Sequence, residues 1–136
     1  MRDLLFVGLF ALFLTNTHAA DINDLTYDAT GDTVIITDCA EDASGDLVIP
    51  ENIEGKPVAT IDGYAFFGCS SLTSIKIGKG NTKYSSENGV LFDINKTNLI
   101  QFPSAKNGHY TIPKSVTHIW YNAFSGCSSL TSVTIP

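Results

Sequence analysis

Arginine is almost absent from this sequence. Arg2 is the only one, and the other cations are seven lysines against fourteen acidic residues, for a formal net charge of -6 over 136 residues. Proteins that bind nucleic acid neutralise phosphates with clustered cations, and an acidic chain with so little arginine offers no such cluster. No nucleic-acid partner is therefore expected.

The sequence also lacks an apolar run long enough to cross a membrane. Its longest run, residues 4–14, has eleven residues, whereas a membrane-spanning helix needs about 20. Arg2 precedes this run and small residues follow it, as in a secretory signal peptide. We predict that residues 1–20 are such a signal, cut after Ala19 or, less favourably, after Ala20; an uncleaved anchor is the alternative. The mature protein is expected to be secreted or held at the cell surface.

An internal repeat occupies the rest of the chain. The segment Ala65–Ile77 recurs as Ala123–Ile135, with ten identities in thirteen positions and an offset of 58 residues. This offset corresponds to two or nearly three coils of a solenoid with repeats of roughly 20–29 residues. A single coil cannot bury its apolar side alone, so neighbouring coils must stack.

The apolar spacing within one copy indicates the local structure. Leu72, Ile75 and Ile77 are spaced as in a strand that enters from a loop and then alternates inward and outward side chains. The alternation predicts that Ser74 and Lys76 face solvent. We therefore predict a repeat solenoid that is mostly β, with short turns or 3-10/helical segments between the strands.

The pattern divides the mature chain into a cap and an array. Residues 21–46 are predicted to be an N-terminal capping strand region, and residues 47–136 the repeat array. Residues 79–109 form an irregular coil within the array, in which Val90–Phe92 and Leu99–Phe102 are predicted to be the strands of an inserted β-hairpin.

The C-terminal end of the array is expected to be covered. Pro136 follows directly after a core strand, with no polar capping segment. A bare solenoid end exposes apolar surface and an unpaired strand edge. We therefore expect a C-terminal truncation, with further repeats or a partner over this edge.

The segment from Ile112 to Pro136, IPKSVTHIWYNAFSGCSSLTSVTIP, resembles the BspA-type leucine-rich repeat. The resemblance extends over residues 47–136 and implies a leucine-rich-repeat solenoid. It also implies an exported or surface protein that binds or adheres to an extracellular protein or glycan through its strand face. A structural spacer or stalk without a ligand of its own is the alternative. Trp120 departs from the family pattern, since a small or acidic residue is more usual there.

The candidate ligand-binding residues share an outward position on successive strands or lie beside them. They are Ser74, Lys76, Gln101, Thr111, Ser132 and Thr134, together with Trp120 and Tyr121. An exposed tryptophan often anchors an interface. The alternatives are that the strand residues are merely solvated and that Trp120 packs over a neighbouring coil.

No catalytic residues, metal ligands or cofactors are predicted, and the protein is not expected to be an enzyme. Cys127 with His109 or His118 is a conceivable nucleophile pair, but repeat cysteines are expected to point into the core, where thiols are unreactive. The aspartates of residues 21–32 lack the pattern of a calcium loop. The cysteines and histidines also lack zinc-binding spacing.

Three cysteines in an exported chain suggest a disulfide with one thiol left over. Cys69 and Cys127 occupy equivalent places in coils two or three apart, which predicts a sulfur separation of roughly 10–14 Å. A disulfide needs Cα atoms within about 7 Å. We therefore predict that both are free, buried thiols. Cys39 is expected to be unpaired or, less favourably, paired with Cys69.

Overall fold

The computed structural model describes residues 19–136, so the predicted signal peptide lies almost entirely outside the described residues. Within this range no helix is long and apolar enough to cross a membrane. One short 3-10 helix, Ile22–Asp24, precedes the strands. The strands are β1 (Leu25–Asp28), β2 (Val34–Cys39), β3 (Ser44–Ile49), β4 (Asn52–Ile53), β5 (Lys56–Ile61), β6 (Ser71–Ile77), β7 (Tyr84–Glu87), β8 (Val90–Asp93), β9 (Asn98–Gln101), β10 (Gly108–Thr111), β11 (His118–Ile119) and β12 (Leu130–Thr134).

Parallel pairing between successive coils defines a solenoid. β2 pairs with β5, β3 with β6, β9 with β11, and β10 with β12, all in parallel. Equivalent residues of neighbouring coils therefore lie side by side, as Leu47 does with Ile75 and Ile49 with Ile77. The predicted mostly-β repeat solenoid is confirmed.

The core follows from the alternation of side chains along each strand. Leu47 and Ile49 of β3 are buried, whereas Val48 between them is exposed. Each fully buried aliphatic side chain contributes about 1.5–3 kcal/mol relative to its exposed state. Two apolar clusters result, one around the N-terminal coils and one around Phe92, Phe102 and neighbouring residues.

Short hydrogen-bonded turns connect the two strand-bearing sides of a coil. In the first copy of the repeat, the Ala65, Phe67 and Cys69 amides donate to the carbonyl three residues earlier. The second copy repeats this pattern at the amides of Ala123, Ser125 and Cys127. These turns direct the alanine, phenylalanine and cysteine of the sequence Ala-Phe-x-Gly-Cys toward the core and leave its x and glycine positions exposed.

The irregular coil contains the predicted hairpin and one strand more. β8 and β9 pair in antiparallel fashion, as predicted, and β7 adds to the other side of β8. Asp93 holds the β8–β9 connection, since its carboxylate accepts bonds from the Thr97 and Asn98 amides at 2.7 and 2.8 Å. The coil is thus enlarged into a four-stranded sheet that includes β11.

The N-terminal region adds an antiparallel strand to the first coil. β1 pairs with β2, which lies beside β5, and β4 closes the other side of β5. Across this layer, Tyr27 Oη donates to the Glu54 carboxylate and Lys56 Nζ donates to the Ala29 carbonyl. These bonds fasten the N-terminal strand to the coil that contains β4 and β5.

Candidate binding surfaces

The predicted polar column along the strand face is interrupted at two positions. Ser74 and Gln101 are only 8% and 6% exposed, so the expectation that they face solvent was wrong. The β7–β8 hairpin places Gly89 directly against Ser74. Gln101 Nε2 turns inward and donates to the Phe102 and Ala123 carbonyls at 3.0 and 3.3 Å. Neither side chain is available to a ligand.

Lys76 is exposed as predicted, but it lies apart from the other strand residues. Its Nζ forms an ion pair with Asp46 at 3.0 Å, on the sheet made by β3 and β6. Thr111, Ser132 and Thr134 belong to the separate β10–β12 sheet. An exposed ion pair of this kind contributes about 0–1 kcal/mol, so Lys76 remains free to exchange Asp46 for another acidic group.

Three exposed hydroxyl groups of the β10–β12 sheet converge on His109. Its Nδ1 lies 2.6 Å from Ser132 Oγ, and its Nε2 lies 3.1 Å from Thr111 Oγ1 and 3.2 Å from Thr134 Oγ1. We call these four residues the histidine–hydroxyl cluster. Sequence reasoning missed His109 as a surface residue of this group. Its spacing of two from Thr111 on one strand was the available signal, since such residues share a face.

The histidine–hydroxyl cluster offers hydrogen bonds in both directions. A neutral imidazole donates from one nitrogen and accepts at the other, and each hydroxyl does both. The partners of His109 in the described part of the chain are hydroxyls, whereas an oriented catalytic histidine is held by a carboxylate. The geometry suits recognition of a polar ligand on a flat strand face.

The predicted aromatic pair divides into one packed and one exposed residue. Trp120 is half-buried and contacts both apolar clusters, and its amide donates to the Leu99 carbonyl at 3.0 Å. Trp120 therefore packs over a neighbouring coil, which was the alternative to a role in binding. Tyr121 points outward and remains a candidate for binding.

Tyr121 belongs to a group of exposed rings at one turn edge of the solenoid. Its ring centroid lies 5.6 Å from that of Tyr64, which lies 6.2 Å from that of Phe67. Tyr64, Phe67 and Tyr121 are 60%, 58% and 76% exposed. Both pairs have the edge-to-face arrangement that aromatic rings favour. We call these three residues the turn-edge aromatic cluster.

A short intermediate coil brings the two turns together. The Phe102 amide donates to the Ala123 carbonyl, and the Ala105 amide donates to the Leu72 carbonyl. The segment 102–105 therefore lies between the two copies of the repeat and bonds to both. Asn122 Nδ2 then reaches the Gly63 carbonyl at 3.4 Å. A hydrogen bond with Tyr64 raises the pKa of Tyr121.

Sequence reasoning did not identify Tyr64 or Phe67 as members of this group. The second copy of the repeat has Asn122 and Ser125 at the equivalent positions. The repeat pattern therefore gives no aromatic signal at these sites. Only the contact between the two turns shows that Tyr64 and Tyr121 share one surface.

The conceivable Cys–His pair is not assembled in the described part of the chain. Cys127 is half-buried, and its Sγ faces the Phe102 and Ser125 carbonyls at 3.8 and 3.9 Å. The nitrogens of His109 and His118 contact hydroxyl groups instead. Burial raises the pKa of Cys127, which disfavours the thiolate. Within residues 19–136, the metal-binding side chains form no cluster of three or more.

Comparison with solved structures finds other leucine-rich repeat proteins. The chain is similar to one from Eubacterium ventriosum, with 27% identity and a TM-score of 0.59 over 72% of this chain and 29% of that one. It is also similar to the pneumococcal vaccine antigen PcpA, with 25% identity and a TM-score of 0.63 over 79% of this chain and 26% of that one. The chain thus spans less than a third of the length of either protein.

Sequence comparison gives the family directly. Curated protein sequences give no match. The model of the BspA type leucine rich repeat region, in six copies, matches residues 46–136, which is more than half of the chain. That match agrees with the stacked parallel strands and with the two closely similar copies of the turn. The chain belongs to the BspA-type leucine-rich repeat family.

Proposed function

We propose that the protein is an exported binding or adhesion module that recognises an extracellular protein or glycan. The observation that carries this proposal is the turn-edge aromatic cluster. Soluble proteins seldom leave several large rings exposed side by side, and such patches mark interaction sites. Tyrosine in particular is enriched among the residues that dominate binding energy.

The histidine–hydroxyl cluster supplies a second, polar part of the proposed surface. It retains Thr111, Ser132 and Thr134 from the predicted strand face and adds His109. Interfaces commonly combine a few apolar anchors with surrounding hydrogen-bonding groups. Because the aromatic rings lie on turns and the hydroxyls on strands, their contributions to binding can be measured separately.

The export part of the proposal is supported by two observations. Residues 1–20 have the charged start, apolar run and small final residues of a signal peptide. One structural relative is a pneumococcal vaccine antigen, which is consistent with an exposed location for that protein. Both observations favour an extracellular ligand over an intracellular one.

Binding to immobilised matrix proteins and glycans tests the proposal. We expect the wild-type chain to bind a member of such a panel, and the Tyr64→Ala/Tyr121→Ala variant to lose about 30-fold or more in affinity, as hot-spot truncations do. Val48→Ala is the matched control, because Val48 is exposed and apolar but lies on β3, away from the rings. Circular dichroism confirms that both variants are folded.

The variants also distinguish the two parts of the surface. Loss of binding in Thr111→Ala/Thr134→Ala alone would assign recognition to the strand face and remove the aromatic cluster from the proposal. An equal loss in Val48→Ala would show that the aromatic effect is not specific. Failure of the folded wild-type chain to bind any panel member would favour the spacer function.

The spacer or stalk function has one specific observation in its favour. In the described part of the chain, β12 pairs with β10 on one side only. Ile119 and Ile135 are exposed and line one surface pocket together with Pro136. Such an edge can accept a further coil of the same kind, as stacked repeats do. A spacer predicts that appended repeats raise stability while substitutions in the aromatic cluster leave attachment unchanged.

A further inference from the structure

Cys39 and Cys69 lie in contact inside the N-terminal half of the solenoid. Cys69 Sγ donates a hydrogen bond to the Cys39 carbonyl oxygen at 3.0 Å, and both side chains are buried. Both cysteines are free thiols in this structure. The neighbouring Cys69 side chain, together with burial, raises the pKa of Cys39 far above its ordinary value. The Cys69 sulfur therefore lies against the Cys39 backbone in one enclosed site.

The stacking of coils explains this contact. Cys39 ends β2, and Cys69 ends the turn between β5 and β6. Because β2 lies beside β5, the two residues come together although 30 positions separate them in sequence. The repeat pattern aligns Cys69 with Cys127, because they occupy equivalent positions. It therefore gives no sign that Cys69 lies next to Cys39.

We propose that Cys39 and Cys69 form a disulfide in the exported protein and that this bond fastens the N-terminal sheet to the first full repeat. The physiological setting rests on the export part of the proposed function, since disulfides persist in oxidising compartments. Cys127 stays a free thiol in this proposal, because its sulfur faces the Phe102 and Ser125 carbonyls.

The bond forms by thiol–disulfide exchange with a low-molecular-weight or protein disulfide. The thiolate of one cysteine attacks the oxidant disulfide, forms a mixed disulfide and releases one reduced thiol. The second cysteine, as thiolate, then attacks the protein sulfur of the mixed disulfide and releases the second reduced thiol. Two protein thiols are oxidised and one external disulfide is reduced. The exchange takes place during folding, before both sulfurs are buried.

The disulfide would stabilise the N-terminal end of the solenoid, where, within residues 19–136, the first sheet has a neighbouring coil on one side only. Each coil contacts only its neighbours, so an array opens from its ends. A link between β2 and the turn that precedes β6 keeps the terminal sheet attached when the neighbouring hydrogen bonds open. It also restricts the unfolded chain, which is the main route by which disulfides stabilise.

Thiol counting on the full chain tests the proposal. The reduced protein is refolded in a buffer of reduced and oxidised glutathione. It is then denatured and alkylated with iodoacetamide, and its intact mass is measured by mass spectrometry. We expect one alkylated cysteine per chain, and peptide mapping should join the fragments that contain Cys39 and Cys69. Addition of a strong reductant should lower Tm by about 10 °C. Cys127→Ala should keep the linked fragments, the same fall in Tm and no alkylated cysteine.

Three alkylated cysteines in the refolded wild-type chain, or a linkage that involves Cys127, would overturn the proposal. The count uses the wild-type chain, so it does not depend on whether Cys39→Ala or Cys69→Ala folds. Export is measured separately, by assaying the chain made with its own N-terminus in the medium and in the cell. Pairing in glutathione buffer with retention inside the cell would contradict export alone.

Discussion

Gly89 lies with its backbone directly on Ser74, close enough that a Cβ at position 89 would stand 2.7 Å from Ser74 Oγ. Gly89 has a positive φ of 77°, and its carbonyl accepts the Ile75 amide at 2.8 Å. One glycine thus forms the turn between β7 and β8 and allows that hairpin to pack closely against β6. This contact buries Ser74 and interrupts the predicted polar column.

Gly89→Ala should destabilise the fold by about 2–4 kcal/mol, since it adds left-handed strain to a steric clash with β6. Gly45→Ala is the matched control, because Gly45 has a similar φ of 75° but no atom within 4 Å of its Cβ position. The control should cost only about 1–2 kcal/mol, because it adds left-handed strain without a clash. Urea unfolding of the two variants measures the difference. Equal losses in the two variants would show that contact with Ser74 is unimportant.

Ile75→Ala should cost about 2–5 kcal/mol, because it removes a fully buried side chain and leaves a cavity between stacked coils. Its neighbour on the strand, Lys76, is exposed and held only by a surface ion pair. Lys76→Ala should therefore change stability by less than about 1 kcal/mol. Denaturant titration of both variants tests the inward and outward assignment of β6. A larger loss in Lys76→Ala than in Ile75→Ala would refute it.

Asp93 predicts a specific acid sensitivity of the β8–β9 hairpin. Partial burial alone would raise its pKa, but hydrogen bonds from Asn98 and Thr97 outweigh burial and hold the pKa of Asp93 below its ordinary 3.8. A carboxylate with a lowered pKa stabilises the fold above the unfolded-state value, and this contribution is lost as pH falls through 3.8 and below. The wild-type protein should therefore be more stable than Asp93→Asn near neutral pH, and this difference in unfolding free energy should shrink as pH falls.

Unfolding free energies of wild type and Asp93→Asn, measured from neutral pH to below the ordinary aspartate pKa, check this sign. The gap between the two proteins should be widest near neutral pH and close on acidification. A gap that is constant with pH would mean that the Asp93 charge contributes nothing to the hairpin. A gap that widens in acid would mean that its pKa is raised in the fold.

The parts of the fold that could be predicted are those with a repeated or a local apolar pattern. The two copies around Leu72 and Leu130 carry their own strand alternation, and the Val90–Phe92 hairpin has a local pattern of apolar strands about a polar turn. The errors at Ser74 and Gln101 have one cause. Alternation predicts that a side chain points out of the strand. It does not predict whether an inserted hairpin or a neighbouring turn then covers that side chain.

The candidate surfaces were less predictable because they depend on contacts between coils. Tyr64 and Tyr121 are far apart in sequence and meet because the segment 102–105 bonds to both copies of the repeat and brings their turns together. His109 and Ser132 meet through the register of β10 and β12, which the sequence does not specify. Periodicity indicates the strands, whereas coil length and register decide which side chains become neighbours.

Tyr110 should ionise well above the ordinary tyrosine pKa in the folded protein. Its ring packs against Phe102 with centroids 4.9 Å apart. Burial, with a smaller contribution from the charge of Glu87, raises the pKa of Tyr110 to about 12. A raised folded-state pKa gives a contribution that is fully present below the unfolded value of about 10 and is lost as pH rises from there to about 12.

Tyr110→Phe tests this contribution, since it keeps the packed ring and removes only the ionisable hydroxyl. Between the ordinary tyrosine pKa and the raised one, wild type should lose stability with rising pH more steeply than the variant, and the difference is measured by denaturant unfolding in alkaline buffers. Ultraviolet titration of the folded proteins should show that the variant lacks a tyrosinate step near pH 12. Parallel stability curves would mean that Tyr110 ionises as readily in the fold as in the unfolded chain, and hence that its hydroxyl reaches solvent despite the packing of its ring.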